Sequence, residues 1–305
     1  MSLTLDHAGI AFLMVLVAGF ATCVGASAVF CQCCVKLASK RVLAAGLAFS
    51  AGIMLYVSFI EIFQKAKGGF EAAGLAEKHA YMASTLCTFL GMLIMRLLIA
   101  AARCLDPDHE DFELVMPGCD ASQPSATEGT EAPAADIREI SKEEKKGQQE
   151  KRLLRMGLNT ALAITIHNFP EGLAGMVAGL IDPTVGFTLT SAIAIHNIPE
   201  GLCIALPIYY STGSRLRGFL LSAAAGLAEP VGALIAWGIV GASGEDMHGT
   251  IYGILFGLVA GIMIMIVALE LLPTAHRFDP KDTVVTHALV AGMLVMATSL
   301  VLFMV

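Results

Sequence analysis

The sequence His-Asn-Phe-Pro-Glu-Gly at residues 167–172 returns as His-Asn-Ile-Pro-Glu-Gly at residues 196–201. Each copy lies within a long apolar stretch, where an ionisable side chain costs about 3 kcal/mol or more if lipid surrounds it. Such side chains usually mark the path of a substrate or an ion. Packing explains a single buried histidine equally well, but the repetition of the whole motif indicates a site.

Each copy places three potential ligands on one wall of a helix, because side chains three and four positions apart share a face. The first wall consists of His167, Asn168 and Glu171. The second wall consists of His196, Asn197 and Glu200. Imidazole nitrogen, amide oxygen and carboxylate oxygen together suit zinc, and also iron, manganese, cobalt or cadmium. The spacing therefore predicts a divalent-metal site between two helices.

The two prolines support this interpretation. Pro170 and Pro199 lack an N–H, so each is expected to kink its helix and to free the carbonyl four residues earlier. Free carbonyls at membrane depth are tolerated only where they are buried in protein or line a cavity. Interrupted helices near the bilayer midplane also form the substrate sites of many transporters.

The composition is that of a multi-pass membrane protein. Mean hydropathy is +0.73, and only 15% of the residues are charged. Apolar stretches of about 20 residues can cross a bilayer as helices. We predict an all-α polytopic membrane protein with eight transmembrane helices, at residues 8–30, 42–63, 80–102, 153–181, 185–210, 216–240, 250–272 and 284–305. No basic residue precedes the first stretch, so we interpret it as a retained helix.

A hydrophilic segment at residues 104–152 separates three helices in residues 1–103 from five in residues 153–305. It has too few large apolar residues to form a core and is predicted to be a disordered cytosolic loop. Its first residues either catch metal leaving the pore or form a solvated acidic stretch, and we favour the second. These residues are Asp106, Asp108, His109, Glu110 and Asp111.

Lysine and arginine residues favour one orientation, because cytosolic loops carry an excess of them. With the N-terminus outside, the outer loops contain only Lys65, Lys67 and Lys78. We therefore predict that both termini lie outside the cytosol, and we favour the plasma membrane over an internal membrane. This orientation places Cys31, Cys33 and Cys34 at the cytosolic side, where a stable disulfide is not expected. Palmitoylation or no role is favoured there over a metal site.

Other polar residues lie in or near the predicted spans. Glu229 either supplies a third carboxylate to the site or pairs with another helix. Four more either lie on the transport path or reach water from helix ends. They are Ser58, Glu61, Glu270 and His276.

Several stretches resemble the ZIP family of divalent-metal transporters, in particular its bacterial, ZupT-like zinc-uptake branch. They are Leu-Ala-Phe-Ser-Ala-Gly-Ile-Met-Leu at 47–55, both copies of the His-Asn-x-Pro-Glu-Gly motif, Gly-Leu-Ala-Glu at 226–229 and Ala-Gly-Ile-Met at 260–263. The doubled motif is the specific part of this match, and the resemblance covers nearly all of the membrane-embedded chain.

The resemblance implies an eight-helix fold with helices four and five at its centre and a two-metal site between them. One metal position would use His167, Glu171, His196 and Glu200. The neighbouring position would use Asn168, Glu171, Asn197, Glu200 and Glu229. The resemblance also implies transport of zinc toward the cytosol, often by a homodimer. The third loop contains one histidine, His109, where many eukaryotic members have a histidine-rich tract.

Two other classes are weighed against a transporter. An intramembrane di-metal enzyme would need clusters of histidines, and the chain lacks His-Glu-x-x-His. A metal sensor would normally bring a folded output domain, and none is visible in the sequence. We therefore expect a transporter and not an enzyme, with zinc and other divalent ions as substrates. Its expected partners are these ions and the lipid bilayer, with neither a cofactor nor nucleic acid.

Overall fold

A computed structural model describes residues 7–37, 39–105, 135–242 and 248–304. Each regular element in these ranges is a helix. The α-helices are α1 (Ala8–Ser27), α2 (Gln32–Leu37), α3 (Lys40–Tyr56), α4 (Phe63–Ala72), α5 (Glu77–Leu105), α6 (Ala135–Ile181), α7 (Pro183–Thr212), α8 (Arg215–Gly226), α9 (Ala228–Ala242), α10 (His248–Ile266), α11 (Leu272–Phe278) and α12 (Val285–Met304). A 3₁₀ turn at Ala28–Phe30 follows α1, and π-helical segments at Val57–Ile62 and Val267–Leu271 follow α3 and α10.

Seven helical stretches of the described residues are long and apolar enough to cross a membrane. They are Ala8–Phe30, Lys40–Ala72, Glu77–Ala101, Pro183–Thr212, Arg215–Ala242, Gly249–Phe278 and Val285–Leu302. The prediction of an all-α, multi-pass membrane protein is confirmed. The fourth predicted span, 153–181, lies within α6, which is not one of these seven, so the count of eight spans stays a prediction.

Two helix boundaries differ from the expectation. The second span continues to Ala72 instead of ending near residue 63, and Lys65 pairs with Glu61 at 3.5 Å in this extension. Helix α6 begins at Ala135, within the segment predicted to be disordered. Residues 135–152 are rich in Glu, Lys and Gln, which favour helix even where they cannot form a core. The acidic residues at 106–111 lie outside the described residues.

The helices form two groups that meet at α6 and α7. Helices α1, α6, α7, α8 and α9 pack together, and α3, α4, α5, α10, α11 and α12 form the second group. Contacts of α7 with α3 and of α6 with α10 join them. Large apolar side chains are exposed along the outer helices, as a lipid-facing surface requires, and they include Leu13, Phe20, Leu86, Phe89, Leu294 and Leu302.

A very short turn sets the register of α6 against α7. The only residue between them is Asp182, whose Oδ1 accepts a hydrogen bond from the backbone N–H of Thr184 at 2.8 Å. Pro183 starts α7, where its missing N–H costs nothing. The histidines of the two motifs, His167 and His196, lie 15 and 14 residues from Asp182 along the chain. At 1.5 Å per residue, both therefore lie about 20 Å from the turn and face each other.

Candidate metal site

The seven predicted ligands are completely enclosed by protein. His167 is 1% exposed, and the other six are 0% exposed. Helix α6 supplies His167, Asn168 and Glu171, while α7 supplies His196, Asn197 and Glu200, and α9 supplies Glu229. The predicted site residues are therefore buried on three neighbouring helices.

Each histidine pairs with the glutamate of the other motif. His167 Nε2 lies 2.9 Å from Glu200 Oε2, and His196 Nε2 lies 3.0 Å from Glu171 Oε1. These two crossed pairs hold α6 and α7 together at the level of the motifs.

Backbone carbonyls orient the two asparagines. Asn168 Nδ2 donates to the carbonyl oxygen of Ala225 at 3.2 Å. Asn197 Nδ2 donates to the carbonyl oxygen of Ala18 at 2.9 Å, and also to Glu229 Oε1. Because the amide nitrogens are engaged with these partners, each side-chain oxygen is left for another role.

Every predicted ligand keeps one buried atom without a hydrogen-bond partner in the described part of the chain. These atoms are His167 Nδ1, Asn168 Oδ1, Glu171 Oε2, His196 Nδ1, Asn197 Oδ1, Glu200 Oε1 and Glu229 Oε2. With Nε2 carrying the proton in the neutral imidazole, Nδ1 has a lone pair. Buried polar atoms of this kind cost about 1–3 kcal/mol each when unsatisfied. A cation is the chemical species that lone pairs of this kind would accept.

Within the described ranges, no three His, Cys, Asp or Glu side chains already have the arrangement of ligands around a bound ion. In each crossed pair the imidazole Nε2 and the carboxylate oxygen lie 2.9–3.0 Å apart and share a proton. Zinc binds imidazole nitrogen and carboxylate oxygen directly, at about 2.0–2.2 Å. An ion that binds through these two atoms must therefore displace the proton between them.

Glycines allow the helix backbones to touch around the site. A Cβ at Gly172 would lie 1.9 Å from the carbonyl oxygen of Glu229, and one at Gly201 would lie 2.0 Å from that of Thr22. Real Cβ atoms do not approach so closely, so these two motif positions require glycine. The last residue of each motif thus brings α9 or α1 against the ligand-bearing helix.

The motif prolines do not interrupt their helices, since α6 runs through Pro170 and α7 through Pro199. Serine hydroxyls from neighbouring helices add hydrogen bonds to carbonyls of α7. Ser50 donates to the carbonyl of His196 at 3.1 Å. The Ser222 hydroxyl can donate to the carbonyl of Gly201 at 3.1 Å or to that of Gly218, in its own helix, at 3.0 Å. Sequence reasoning missed both serines, because small polar residues within a span give no signal of their partner.

The expected path residues have varied surroundings. Ser58 is buried and donates to the carbonyl of Met54 at 2.6 Å. Glu61, in the same π-helical segment, pairs with Lys65. Glu270 lies in the second π-helical segment and interacts electrostatically with His167. His276 is exposed, with Nδ1 2.9 Å from the carbonyl of Leu272. The path itself stays a prediction.

The cysteines near the end of α1 are free. Cys31, Cys33 and Cys34 are all exposed, and the backbone N–H of Cys34 donates to Cys31 Sγ at 3.4 Å. Nothing in this arrangement tests the prediction of palmitoylation.

Comparison with known proteins gives the family. A sequence model described as "ZIP Zinc transporter" matches residues 6–300. The protein named zinc transporter ZupT of Chlorobaculum parvum is 39% identical over 295 residues, covering 96% of this chain and 97% of the relative. The protein of the same name from Streptococcus mutans is 38% identical over 298 residues, covering 98% and 99%. That of Lysinibacillus sphaericus is 40% identical over 293 residues, covering 96% and 97%.

These matches confirm the resemblance on which the sequence interpretation relied, and they extend over almost the entire chain. They also decide between the classes weighed above, because members of this family are transporters and not enzymes. The chain belongs to the ZIP zinc transporter family.

Proposed function

We propose that this chain imports zinc toward the cytosol through a two-metal site between α6 and α7. One observation carries the proposal: seven enclosed side chains each retain a free ligand atom. The name shared by the relatives, zinc transporter, supports zinc as the substrate. The same ligand types suit iron, manganese, cobalt and cadmium, and these ions are included in the proposed range.

The ligands divide between two neighbouring positions. His167, Glu171, His196 and Glu200 would form the first. Asn168, Asn197 and Glu229 would form the second, which shares Glu171 and Glu200 with the first. Carboxylates that bridge two metals about 3.5–4 Å apart are a recurrent arrangement. The three carboxylates would neutralise three of the four positive charges on two divalent ions.

An ion that binds through the paired atoms must displace the proton between them. Metal binding needs neutral imidazole and ionised carboxylate, so protons held on these atoms leave as the ion enters. The carboxylates would then bind the cation in place of the histidine N–H groups. Since the ligands are at most 1% exposed, the surrounding helices must also move before an ion can reach them. The proposed transporter is therefore a gated carrier with an enclosed site.

The rest of the proposal concerns the setting of the protein. We place both termini outside the cytosol on the distribution of lysine and arginine, and we propose the plasma membrane as the location. We also propose a homodimer, as the family resemblance implies. Ser58, Glu61, Glu270 and His276 remain proposed path residues.

The test is zinc uptake into proteoliposomes that contain the purified full chain and a zinc indicator. Glu200→Gln keeps the size of the side chain but removes its charge, and uptake should fall to background. Glu77→Gln is the matched control, because Glu77 forms an exposed pair with Lys67 at 2.8 Å. It should transport normally. Unchanged uptake by Glu200→Gln at equal protein content would refute the site, and competition by the other metals would establish the range of ions.

A further inference from the structure

Two helices that flank the site carry a similar local sequence. Residues 18–25 of α1 read Ala-Gly-Phe-Ala-Thr-Cys-Val-Gly. Residues 225–232, across α8 and α9, read Ala-Gly-Leu-Ala-Glu-Pro-Val-Gly. Five of the eight positions are identical. The alignment places Thr22 opposite Glu229, the proposed third carboxylate.

The first alanine of each stretch binds the asparagine of one motif. The carbonyl of Ala18 accepts from Asn197 at 2.9 Å, and the carbonyl of Ala225 accepts from Asn168 at 3.2 Å. Residues 18–25 therefore hold the second motif in the way that residues 225–232 hold the first.

Close backbone contacts follow the same correspondence. Thr22 and Glu229 each place their carbonyl oxygen against the final glycine of a motif, as described above. Three residues later, a Cβ at Gly25 would lie 1.9 Å from the carbonyl oxygen of Ile198, and one at Gly232 would lie 2.1 Å from that of Phe169. Thr22 thus has the same structural position relative to the second motif as Glu229 has relative to the first.

The hydroxyl of Thr22 is 0% exposed and has no hydrogen-bond partner among the described residues. A helical threonine usually donates to the carbonyl four residues earlier. Thr190, for example, donates to Gly186 at 2.7 Å. For Thr22 that carbonyl belongs to Ala18, which already accepts from Asn197. The carbonyl to which Thr22 would usually donate is therefore taken by Asn197, and the hydroxyl of Thr22 is left available.

We infer that Thr22 is a further residue of the metal site, where its hydroxyl oxygen contacts the ion or a water bound to it. This inference rests on the proposed function. The hydroxyl lies at the position related to that of Glu229 and differs from it in being uncharged. One half of the site would then offer the ion a carboxylate, and the other half a neutral oxygen.

The test compares Thr22→Val and Thr22→Ser with the unmodified full chain in detergent. Zinc affinity is measured by calorimetry, and melting temperature is measured with and without zinc, since binding to the folded state raises it. Thr22→Val keeps the shape of the side chain without the hydroxyl. It should weaken zinc binding by about three- to tenfold, the value of one polar contact. Thr22→Ser should bind like the unmodified chain.

The metal-free melting temperature separates a site residue from a structural one. It should not fall in Thr22→Val, because the lost hydroxyl has no partner to leave behind. Thr190→Val is the matched control: its hydroxyl donates within its own helix, so the substitution should change the metal-free melting temperature little and zinc affinity not at all. Two results would overturn the inference but not the proposed function. Thr22→Val could bind zinc as tightly as the unmodified chain, or it could melt at a lower temperature without zinc. Failure of the unmodified chain to bind zinc would refute the proposed function and the inference with it.

Discussion

Glu171 Oε1 lies 3.0 Å from His196 Nε2, so this glutamate pairs with the histidine of the other motif and not with His167 of its own motif. The corresponding distance from Glu200 to His167 is 2.9 Å. The two motifs are consequently one unit, and a substitution in one changes the surroundings of the other.

Glu171→Gln should abolish most zinc uptake, because the proposed roles of Glu171 include both metal positions. His167→Ala removes a ligand from one position and should leave a larger residual rate. We expect less than a tenth of normal uptake for Glu171→Gln, since charge-assisted contacts contribute about 1.5–3 kcal/mol. Initial rates in proteoliposomes with equal amounts of protein provide the measurement. Equal residual rates for the two variants would show that Glu171 does not act at both positions.

Gly201→Ala should destabilise the packing of α7 against α1. The added methyl would meet the carbonyl oxygen of Thr22 at 2.0 Å, and backbone cannot give way as a side chain can. Overpacking of this kind costs about 1–3 kcal/mol. Gly238→Ala is the control, because its Cβ would have no atom within 4 Å and alanine favours helix. Melting in detergent should show a loss for the first variant only; equal melting temperatures would contradict the close packing.

Ser50→Ala should lower stability by about 1 kcal/mol, because it leaves a buried hydrogen bond between α3 and α7 unmade. Ser84→Ala is matched in burial, but Ser84 donates to Ala80 within its own helix at 2.8 Å. Such bonds add little to helix stability, so this variant should change less. The two melting temperatures are compared in the same detergent. A larger effect at Ser84 would show that the Ser50 hydroxyl does not connect the helix groups.

Asp279, just beyond the last turn of α11, should make stability depend on pH. Burial opposes its ionisation, but hydrogen bonds from the backbone N–H of Val284 at 2.8 Å and the hydroxyl of Thr283 at 3.0 Å prevail and lower its pKa. A lowered folded-state pKa gives stability that is present above the unfolded value, about 3.9, and is lost as pH falls through the folded value.

Asp279→Asn should therefore melt below the unmodified chain at pH 6, and the difference should shrink as pH falls below about 3.9. Melting curves between pH 3 and 7 provide the measurement. A difference that stays constant over this range would show that the charge of Asp279 is not responsible.

Sequence spacing predicted which faces of α6 and α7 carry the ligands, because helical periodicity is a local property. It could not predict that His167 meets Glu200, since that contact depends on the register set by Asp182. The π-helical segment around Glu61 was also missed, because hydropathy does not distinguish it from ordinary helix. The sequence did not indicate Thr22 for a related reason: its position is informative only once the contacts of Asn197 and Glu229 are known.

The crossed pairs also bear on how an importer resets after each delivery. Once its cargo has left, a carrier must return unloaded, and Glu171 and Glu200 would repel each other in a dry interior if nothing replaced the ion. The two imidazole N–H groups take that place at 2.9 and 3.0 Å. If these residues bind the ion as proposed, the same side chains would hydrogen-bond to one another once it has left, and the return step would need no second substrate.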